Sequence, residues 1–362
     1  MRPALILVTA LALLTGPRQA TPGPWVSQSS GTSAELRGLS VVSARVAWVS
    51  GTGGRFARTT DGGRSWRVDS IAGASSLDLR AIHALSDRVA WAMSAGPAEE
   101  GKARIYRTTD GGATWEMQWS TEQRGVFLDA IAFWDAKHGI AMSDPVDGAL
   151  FLLTTDDGGA TWARVPPERL PPTLPGEAAF AASGSCLTVQ GSRNVWIGTG
   201  GGATARVFRS TDRGRHWAVA ETPLRAGNAS SGIFSVAFRD ARHGVAVGGD
   251  YQKPHERTDN VALTDDSGRT CTLARGARPA GYMSAVSWVP GARTPTLVAV
   301  GLAGSALSSD GGRSWRMLDT TAYNSVRFVS PRDGGFAAGP AGRVARWRGG
   351  LAGPSLSAPP GM

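Results

Sequence analysis

Short runs of apolar residues that alternate with polar ones recur along the chain, and turn-forming residues separate them. Near the start, residues 36–42 alternate, 45–50 contain a Val-Ala-Trp segment, and Arg55–Arg58 lead through a glycine-rich turn to a run that begins at Trp66. A period of two residues is typical of half-buried β-strands. No stretch of a dozen residues free of Gly and Pro has apolar residues at helical spacing. The pattern therefore predicts an all-β protein and excludes a helical bundle.

An octapeptide of the pattern Ser/Thr-x-Asp-x-Gly-x-x-Trp recurs six times at a mean pitch of about 50 residues, and its fifth copy is degenerate and ends in Cys271. The Asp carboxylate is expected to bond backbone N–H groups two residues on, while Gly at the fifth place adopts positive φ. The Trp is expected to start the next strand and to pack its ring back over the turn. We interpret these residues as structural: Asp61, Asp110, Asp157, Asp212, Asp266, Asp310, Trp66, Trp115, Trp162, Trp217 and Trp315.

Four predicted strands in each unit of this length predict the blades of a β-propeller. The last unit, Tyr323 to Trp347, has only three strands and lacks the octapeptide. We expect Pro24–Ser27 to supply the missing strand, with Trp25 in the place of the octapeptide Trp. The prediction is a seven-bladed β-propeller of four-stranded antiparallel blades over residues 24–348, in which the N-terminal strand closes the ring and removes exposed edges.

The two ends of the chain differ in composition from this repeat region. Arg2 precedes an apolar stretch at residues 4–14, which suits a signal peptide and is shorter than the roughly 20 residues of a membrane-spanning helix. We expect residues 1–20 to be a cleaved signal peptide and the mature protein to be periplasmic or secreted, with no transmembrane segment. Residues 349–362, rich in Gly, Pro, Ser and Ala, are expected to be a disordered tail.

The net charge gives little information about the partner, and the two cysteines leave a disulfide undecided. The net charge of +9 favours anionic partners, but the basic residues are scattered, so no nucleic-acid-binding tail is predicted. In an exported protein, Cys186 and Cys271 either form a disulfide or remain free, and two cysteines at this spacing do not decide between the two.

The octapeptide, the His138-Gly-Ile-Ala and His243-Gly-Val-Ala-Val-Gly segments and residues 46–54 together resemble the Asp-box (BNR) repeat proteins. Within them, the chain is similar to the photosystem II stability/assembly factor-like propellers over residues 25–347. The resemblance implies Asp-box turns and a non-catalytic protein that escorts a protein partner during complex assembly. The same turns occur in sialidases and other glycosidases, so they indicate architecture more strongly than function.

All of the long insertions fall on one predicted face of the propeller, which we call the long-loop face. That face carries the connections between strands two and three and those from strand four to the next blade. The insertions are Ser94–Lys102, Asp144–Gly148, Pro166–Glu177 and Gly249–Asn260. Long loops on one side of a rigid scaffold indicate a binding surface, and tolerated surface insertion is the alternative.

The first residues of the seven innermost strands are expected to line the mouth of the central channel on this face. They are Arg37, Arg80, Asp129, Ser185, Phe234, Ser284 and Asn324, and Asp147 is expected nearby. Mixed charge at the mouth suits a polar ligand or a charged peptide segment, or is simply solvated. The candidate partner-binding residues are Arg37, Arg80, Asp129, Asp144, Asp250, Tyr251, Lys253 and His255.

Arginine also recurs at an R-x-x-R spacing in the third strand of four units. The pairs are Arg55/Arg58, Arg104/Arg107, Arg206/Arg209 and Arg343/Arg346. Because the strand period is two, the members of a pair point to opposite sides. The first members are expected to form part of a basic rim for an acidic partner, and charges that protect exposed strand edges are the alternative.

A glycoside hydrolase acting at the channel mouth is the alternative function. A sialidase needs a Tyr nucleophile partnered by Glu, and Glu177 and Tyr282 are both expected within reach of the mouth. The Arg-Ile-Pro signature is missing from the sequence, and no convincing third arginine joins Arg37 and Arg80 for a substrate carboxylate. A two-carboxylate enzyme would depend on the separation of its acidic side chains, which the sequence leaves open.

Cofactor and metal chemistry find little support. Residues 198–203 match the dinucleotide fingerprint G-x-G-x-x-A, but they lie in a predicted turn without a following helix. The histidines lack ligand spacing, and His138 and His243 occupy the same turn position in two units. We therefore expect no cofactor and no metal. The expected protein is an exported monomer that binds a protein, such as a membrane-complex subunit or an acidic segment, through the long-loop face as an assembly scaffold.

Overall fold

The alternating runs form strands that group into seven sheets, as the computed structural model shows for residues 23–332 and 334–348. Within that part of the chain, each sheet has four antiparallel strands, which is the predicted blade, and in six of the seven sheets the strands follow in sequence order. The predicted signal peptide and the predicted C-terminal tail lie outside the described residues. No helix in the described ranges is long and apolar enough to cross a membrane.

The first three blades follow one another directly along the chain. Blade 1 consists of β2 (Leu36–Val41), β3 (Ala47–Gly51), β4 (Arg55–Thr59) and β5 (Arg67–Ser70). Blade 2 consists of β6 (Asp78–Ala84), β7 (Ala90–Ala95), β8 (Arg104–Thr108) and β9 (Glu116–Ser120). Blade 3 consists of β10 (Leu128–Phe133), β11 (Gly139–Val146), β12 (Ala149–Thr155) and β13 (Ala163–Arg164).

The next three blades repeat the same order of strands. Blade 4 consists of β14 (Leu187–Gln190), β15 (Asn194–Gly198), β16 (Ala205–Ser210) and β17 (Ala218–Thr222). Blade 5 consists of β18 (Ser231–Phe238), β19 (Gly244–Asp250), β20 (Val261–Thr264) and β21 (Thr272–Leu273). Blade 6 consists of β22 (Ala285–Trp288), β23 (Leu297–Gly301), β24 (Gly304–Ser308) and β25 (Arg316–Asp319). Short 3₁₀ helices lie at Ala98–Glu100 and Pro167–Arg169, within two of the long loops.

Blade 7 joins the two ends of the propeller. It consists of β26 (Ser325–Phe328), β27 (Gly335–Ala338), β28 (Arg343–Trp347) and, as its outer strand, β1 (Trp25–Ser29). β1 pairs with β28 over its full length, from Trp25 opposite Trp347 to Ser29 opposite Arg343. The first strand of each blade contacts the first strand of the next, so these seven strands surround the central channel. The predicted ring closure is confirmed.

Each octapeptide forms a tight turn between the third and fourth strands of its blade, and its hydrogen bonds differ from the predicted ones. In the first copy, Thr59 Oγ1 donates to Asp61 Oδ1 (2.9 Å) and accepts the N–H of Gly63 (2.8 Å). The Asp61 carboxylate accepts the N–H and the hydroxyl of Ser65, at 3.0 and 2.6 Å. The same set of bonds, with His216 Nδ1 in place of the hydroxyl in the fourth copy, recurs in the other five copies. The carboxylate thus reaches four residues ahead instead of two, whereas the positive φ of the fifth residue agrees with the prediction.

The octapeptide tryptophans pack between blades as well as over their own turns. The Trp115 ring of blade 2 lies 5.2 Å from Phe56 and 6.3 Å from Trp48, both in blade 1. Trp315 Nε1 donates to Gly312 O within its own turn. Trp25 follows the same arrangement, because its Nε1 donates to Ser305 Oγ of the preceding blade at 3.1 Å. The tryptophans therefore hold neighbouring blades together.

The second arginines of the R-x-x-R pairs also connect blades. The Arg58 guanidinium lies 5.3 Å from the centre of the Trp48 ring and donates to the carbonyl of Asp87 in blade 2. Arg209 likewise donates to Gly268 O of blade 5 at 3.3 Å. A cation over an aromatic face stabilises by about 0.5–1 kcal/mol at a partly exposed site. These contacts give the spacing a structural role that the sequence did not indicate.

Candidate binding face

The long-loop face is not open at its centre, because part of the chain covers the channel mouth. This segment, which we call the plug, is residues 178–185 in the connection between β13 and β14, and its residues are buried or half-buried. Ala182 O accepts a hydrogen bond from Arg37 Nη1 of blade 1 (3.4 Å), and Ser183 Oγ donates to Ser284 O beside blade 6 (2.9 Å). The plug thus spans the mouth from one side to the other.

Close packing fixes the plug against the innermost strands. Gly184 has a φ of +65°, and a Cβ at this position would lie 2.8 Å from the Cβ of Ala81. Phe180 stacks on Phe234 of blade 5 with 3.9 Å between ring centroids, and the edge of Tyr282 completes the cluster at 4.7 Å from Phe234. Only a glycine fits at position 184, and the stacked rings of Phe180 and Phe234 hold the other end of the plug.

A buried ion pair anchors the residue that precedes the plug. The Glu177 side chain has no exposed surface and accepts hydrogen bonds from Arg206 Nε (2.9 Å) and Thr199 Oγ1 (2.6 Å). Arg206 Nη2 also donates to Glu177 Oε2 and to Pro172 O. Arg206 is therefore not part of a basic rim, and that prediction is wrong for this pair. Glu177 is likewise committed to Arg206 and is not the partner of Tyr282, which packs on Phe234.

Asp129 and Asp144 lie beneath the plug and are close enough for the charge of one to affect the other. Asp129 is 1% exposed, and Asp144 belongs to β11 instead of the predicted loop, where its Oδ1 accepts the N–H of Ala179 (2.8 Å). Burial and the neighbouring charge of Asp144 raise the pKa of Asp129 well above its ordinary value, although Arg80 opposes the shift. Burial raises the pKa of Asp144 to about 6. Asp129 does not line an open mouth, contrary to the prediction.

Asp250, the third candidate carboxylate, is the last residue of β19 and is engaged at the start of the loop that follows. It is 2% exposed and accepts hydrogen bonds from Ser230 Oγ (2.7 Å), Gln252 N (3.0 Å) and Asn228 Nδ2 (3.3 Å). Burial opposes its ionisation, but the bonds from Ser230 and Gln252 outweigh burial and lower its pKa. Asp250 thus ties the start of this loop at Gln252 to Asn228 and Ser230, and it is not open to a ligand.

The remaining five candidates are accessible around the plug. The side chains of Arg37 and Arg80 are 27% and 32% exposed, and their ion pairs with Glu35 and Asp78 measure 3.5 and 2.6 Å. On the loop after β19, the exposed residues are Tyr251, Lys253 and His255. The other predicted lining residues, Ser185, Phe234, Ser284 and Asn324, are buried, and Asp147 is exposed. The accessible candidate side chains are therefore basic and aromatic.

The histidines and cysteines singled out in the sequence occupy separate places in the described part of the chain. In the described part of the chain, no group of three or more His, Cys, Asp or Glu side chains is placed to hold a metal ion. His138 Nδ1 lies 2.8 Å from the Asp135 carboxylate, and His243 Nδ1 lies 2.9 Å from that of Asp240, so both hold the same hairpin in two blades. Cys186 and Cys271 are free thiols, and burial raises the pKa of both.

No protein-family profile and no curated protein sequence matches the chain. Solved structures do match: YCF48 bound to D1 peptide aligns with a TM-score of 0.63 at 16% identity, covering 91% of this chain and 99% of that one. YCF48 from Cyanidioschyzon merolae aligns with a TM-score of 0.62 at 15% identity, covering 90% and 98%. The chain has the fold of YCF48. At the level of fold, the resemblance to photosystem II assembly-factor propellers is thereby confirmed.

Proposed function

We propose that this chain is an exported, non-catalytic propeller that binds a protein partner through its long-loop face and acts as an assembly or stability scaffold. The observation that carries the proposal is the likeness in fold to YCF48 bound to D1 peptide, which extends over 91% of this chain. A propeller of this shape is a rigid disc whose loops present a surface to a partner.

The geometry of the long-loop face favours binding over hydrolysis. A glycosidase needs two accessible carboxyl groups on either side of the scissile bond. Here Asp129 is covered by the plug and Asp250 is held by Ser230 and Gln252. The accessible candidate side chains are instead basic and aromatic, namely Arg37, Arg80, Tyr251, Lys253 and His255.

The composition of that surface indicates the chemistry of the partner segment. Arg and Tyr are enriched at protein interfaces, since each offers a large contact area together with hydrogen-bonding groups. Tyr251 is 44% exposed and its ring lies 6.1 Å from Phe234 in the plug cluster. Arg37 and Arg80 flank the plug. An acidic, extended segment of the partner fits this surface.

The test is affinity co-purification of the tagged, mature protein from its own cell envelope, read by mass spectrometry. An Arg37→Glu/Arg80→Glu variant is compared with Arg64→Glu/Arg269→Glu, which makes the same change of charge at exposed octapeptide residues on the opposite face. Thermal melting of each variant checks that the propeller is folded. N-terminal sequencing of the exported protein tests cleavage within residues 1–20.

We expect a stoichiometric protein partner that is retained by the wild type and the Arg64/Arg269 variant and lost from the Arg37/Arg80 variant. Tyr251→Ala, which removes a ring without changing charge, is expected to weaken the same interaction. Equal capture by all folded variants would contradict the long-loop face, and no partner from folded wild type would contradict the scaffold function.

A further inference from the structure

A second candidate site lies inside the central channel, on the far side of the plug from the long-loop face. It is a cavity of about 300 Å³ between the plug residues Ser183 and Gly184 and the ends of the innermost strands. At its other end it is bordered by Val41, Ala84 and Val189, at the octapeptide face of the ring. A volume of this size accommodates a small molecule.

Arg327 supplies the charge of this cavity. It lies in β26, opposite Phe336 of β27, and His83 lies at the same register in blade 2, opposite Trp91. The other positions of this layer are small or uncharged, namely Ser40, Ala132, Thr188, Ala237 and Ser287. Ser40, His83, Thr188 and Arg327 are among the residues that line the cavity, so a cation and several polar groups converge on one space.

Arg327 has no counter-charge among the described residues. The cavity lining contains no Asp or Glu, and within residues 23–332 and 334–348 no ion pair or hydrogen bond involves the Arg327 side chain. Burial lowers the pKa of Arg327, and together with this guanidinium it lowers the pKa of His83 to about 4. Both residues are half-buried, and a charge that is partly withdrawn from water is stabilised when an opposite charge accompanies it.

We propose that this cavity binds a small oxyanion, a carboxylate or phosphate group, between Arg327 and His83. The guanidinium supplies parallel N–H donors that match such a group. The neutral imidazole of His83 and the hydroxyls of Ser40 and Thr188 add uncharged polar groups around it. Since the plug closes the opposite end, the anion enters from the octapeptide face, and the site is independent of partner binding on the long-loop face.

The test is isothermal titration of the full mature protein with inorganic phosphate and, separately, with citrate, which distinguishes the two oxyanion classes. We expect one saturable site for at least one of them. Arg327→Gln is expected to reduce the affinity at least about tenfold, because it removes the charge-assisted hydrogen bonds. Arg64→Gln, at an exposed arginine in the first octapeptide, is expected to bind as the wild type does.

The ring signals of His83 in NMR spectra give a readout that needs no folded Arg327 variant. With the wild-type protein, a saturable shift of the His83 signals, assigned by comparison with His83→Gln, supports the site. Absence of saturation with both anions overturns the proposal, as does unchanged affinity in folded Arg327→Gln.

Discussion

Phe180 lies parallel to Phe234, with ring centroids 3.9 Å apart and planes inclined by 16°. The first residue belongs to the plug and the second to the innermost strand of blade 5. Because Phe234 is 2% exposed and Phe180 is half-buried against it, this stack ties the plug to the ring at one end of its path across the channel. The channel mouth is thus closed by aromatic packing as well as by hydrogen bonds.

Phe180→Ala is expected to loosen the plug. Removing a buried ring typically lowers the free energy of unfolding by about 3–5 kcal/mol. Because Phe180 is half-buried, we expect a loss near the lower end of that range. Amide hydrogen exchange within residues 178–185 should accelerate more than exchange in the blades. Met117→Ala, at a residue that is 54% exposed, serves as the control and should change neither the free energy of unfolding nor the exchange rate in the plug. Unchanged exchange in the plug of Phe180→Ala would contradict the role of the stack.

We expect changes to the Glu177–Arg206 ion pair to lower the free energy of unfolding strongly, because both side chains are buried. Glu177→Gln or Arg206→Met leaves one charge without its partner, which should cost about 3–5 kcal/mol in the free energy of unfolding. The double variant should lose less than the sum of the two single variants. Urea denaturation of the four proteins measures the coupling. Glu100→Gln, in the exposed pair with Lys102, is the control and should cost less than about 1 kcal/mol.

Local patterns in the sequence predicted the scaffold well, for a physical reason. The octapeptide specifies its turn through contacts within eight residues, so each copy predicts its own geometry wherever it occurs. The three-stranded last unit predicted the role of Trp25 because an unpaired edge strand needs a partner. The predicted partner of the Asp carboxylate was wrong, because the Ser or Thr hydroxyl accepts the hydrogen bond from the N–H that the Asp was expected to bind.

The site was predicted less well, because it depends on contacts between residues far apart in sequence. Residues 178–184 are mostly small and lack strand alternation, so the sequence indicated only a loop. Their burial follows from docking into the channel, which covers Asp129. Arg206 belongs to one of the R-x-x-R pairs, but its ion-pair partner Glu177 lies in the connection between β13 and β14, which the spacing does not indicate. A long stretch of small residues after an insertion is the one signal that indicates a buried segment.

Asp129→Asn is expected to change the pH dependence of stability. The raised pKa of Asp129 means that the folded state holds its proton above the pH at which the unfolded state releases it. That contribution is complete at low pH and is lost as pH rises through the window between the ordinary and the raised pKa. The variant should therefore gain stability relative to wild type between pH 4 and pH 7, by about 1 kcal/mol or more.

Asp250→Asn is the matched control, because the pKa of Asp250 is lowered in the folded state. Its stabilising contribution is present above the ordinary carboxyl pKa and is lost as pH falls below it, so the loss of stability of this variant relative to wild type should grow as pH rises to about 4 and stay nearly constant from pH 4 to pH 7. Denaturant unfolding across the range measures both. The same sign for the two variants would contradict the assignment.

Trp25→Ala is expected to weaken the closure of the ring. The Trp25 ring meets Trp347 edge-on at 5.0 Å and lies 6.0 Å from Phe328, and its Nε1 bonds Ser305 of blade 6. Losing these contacts should cost about 3 kcal/mol. Because β1 holds the edge of β28, hydrogen exchange should rise in both strands before it rises elsewhere. Trp25→Phe keeps the ring contacts and loses the Nε1 hydrogen bond, so its loss should be about 1 kcal/mol. Uniform exchange across all blades in Trp25→Ala would show that closure does not depend on this residue.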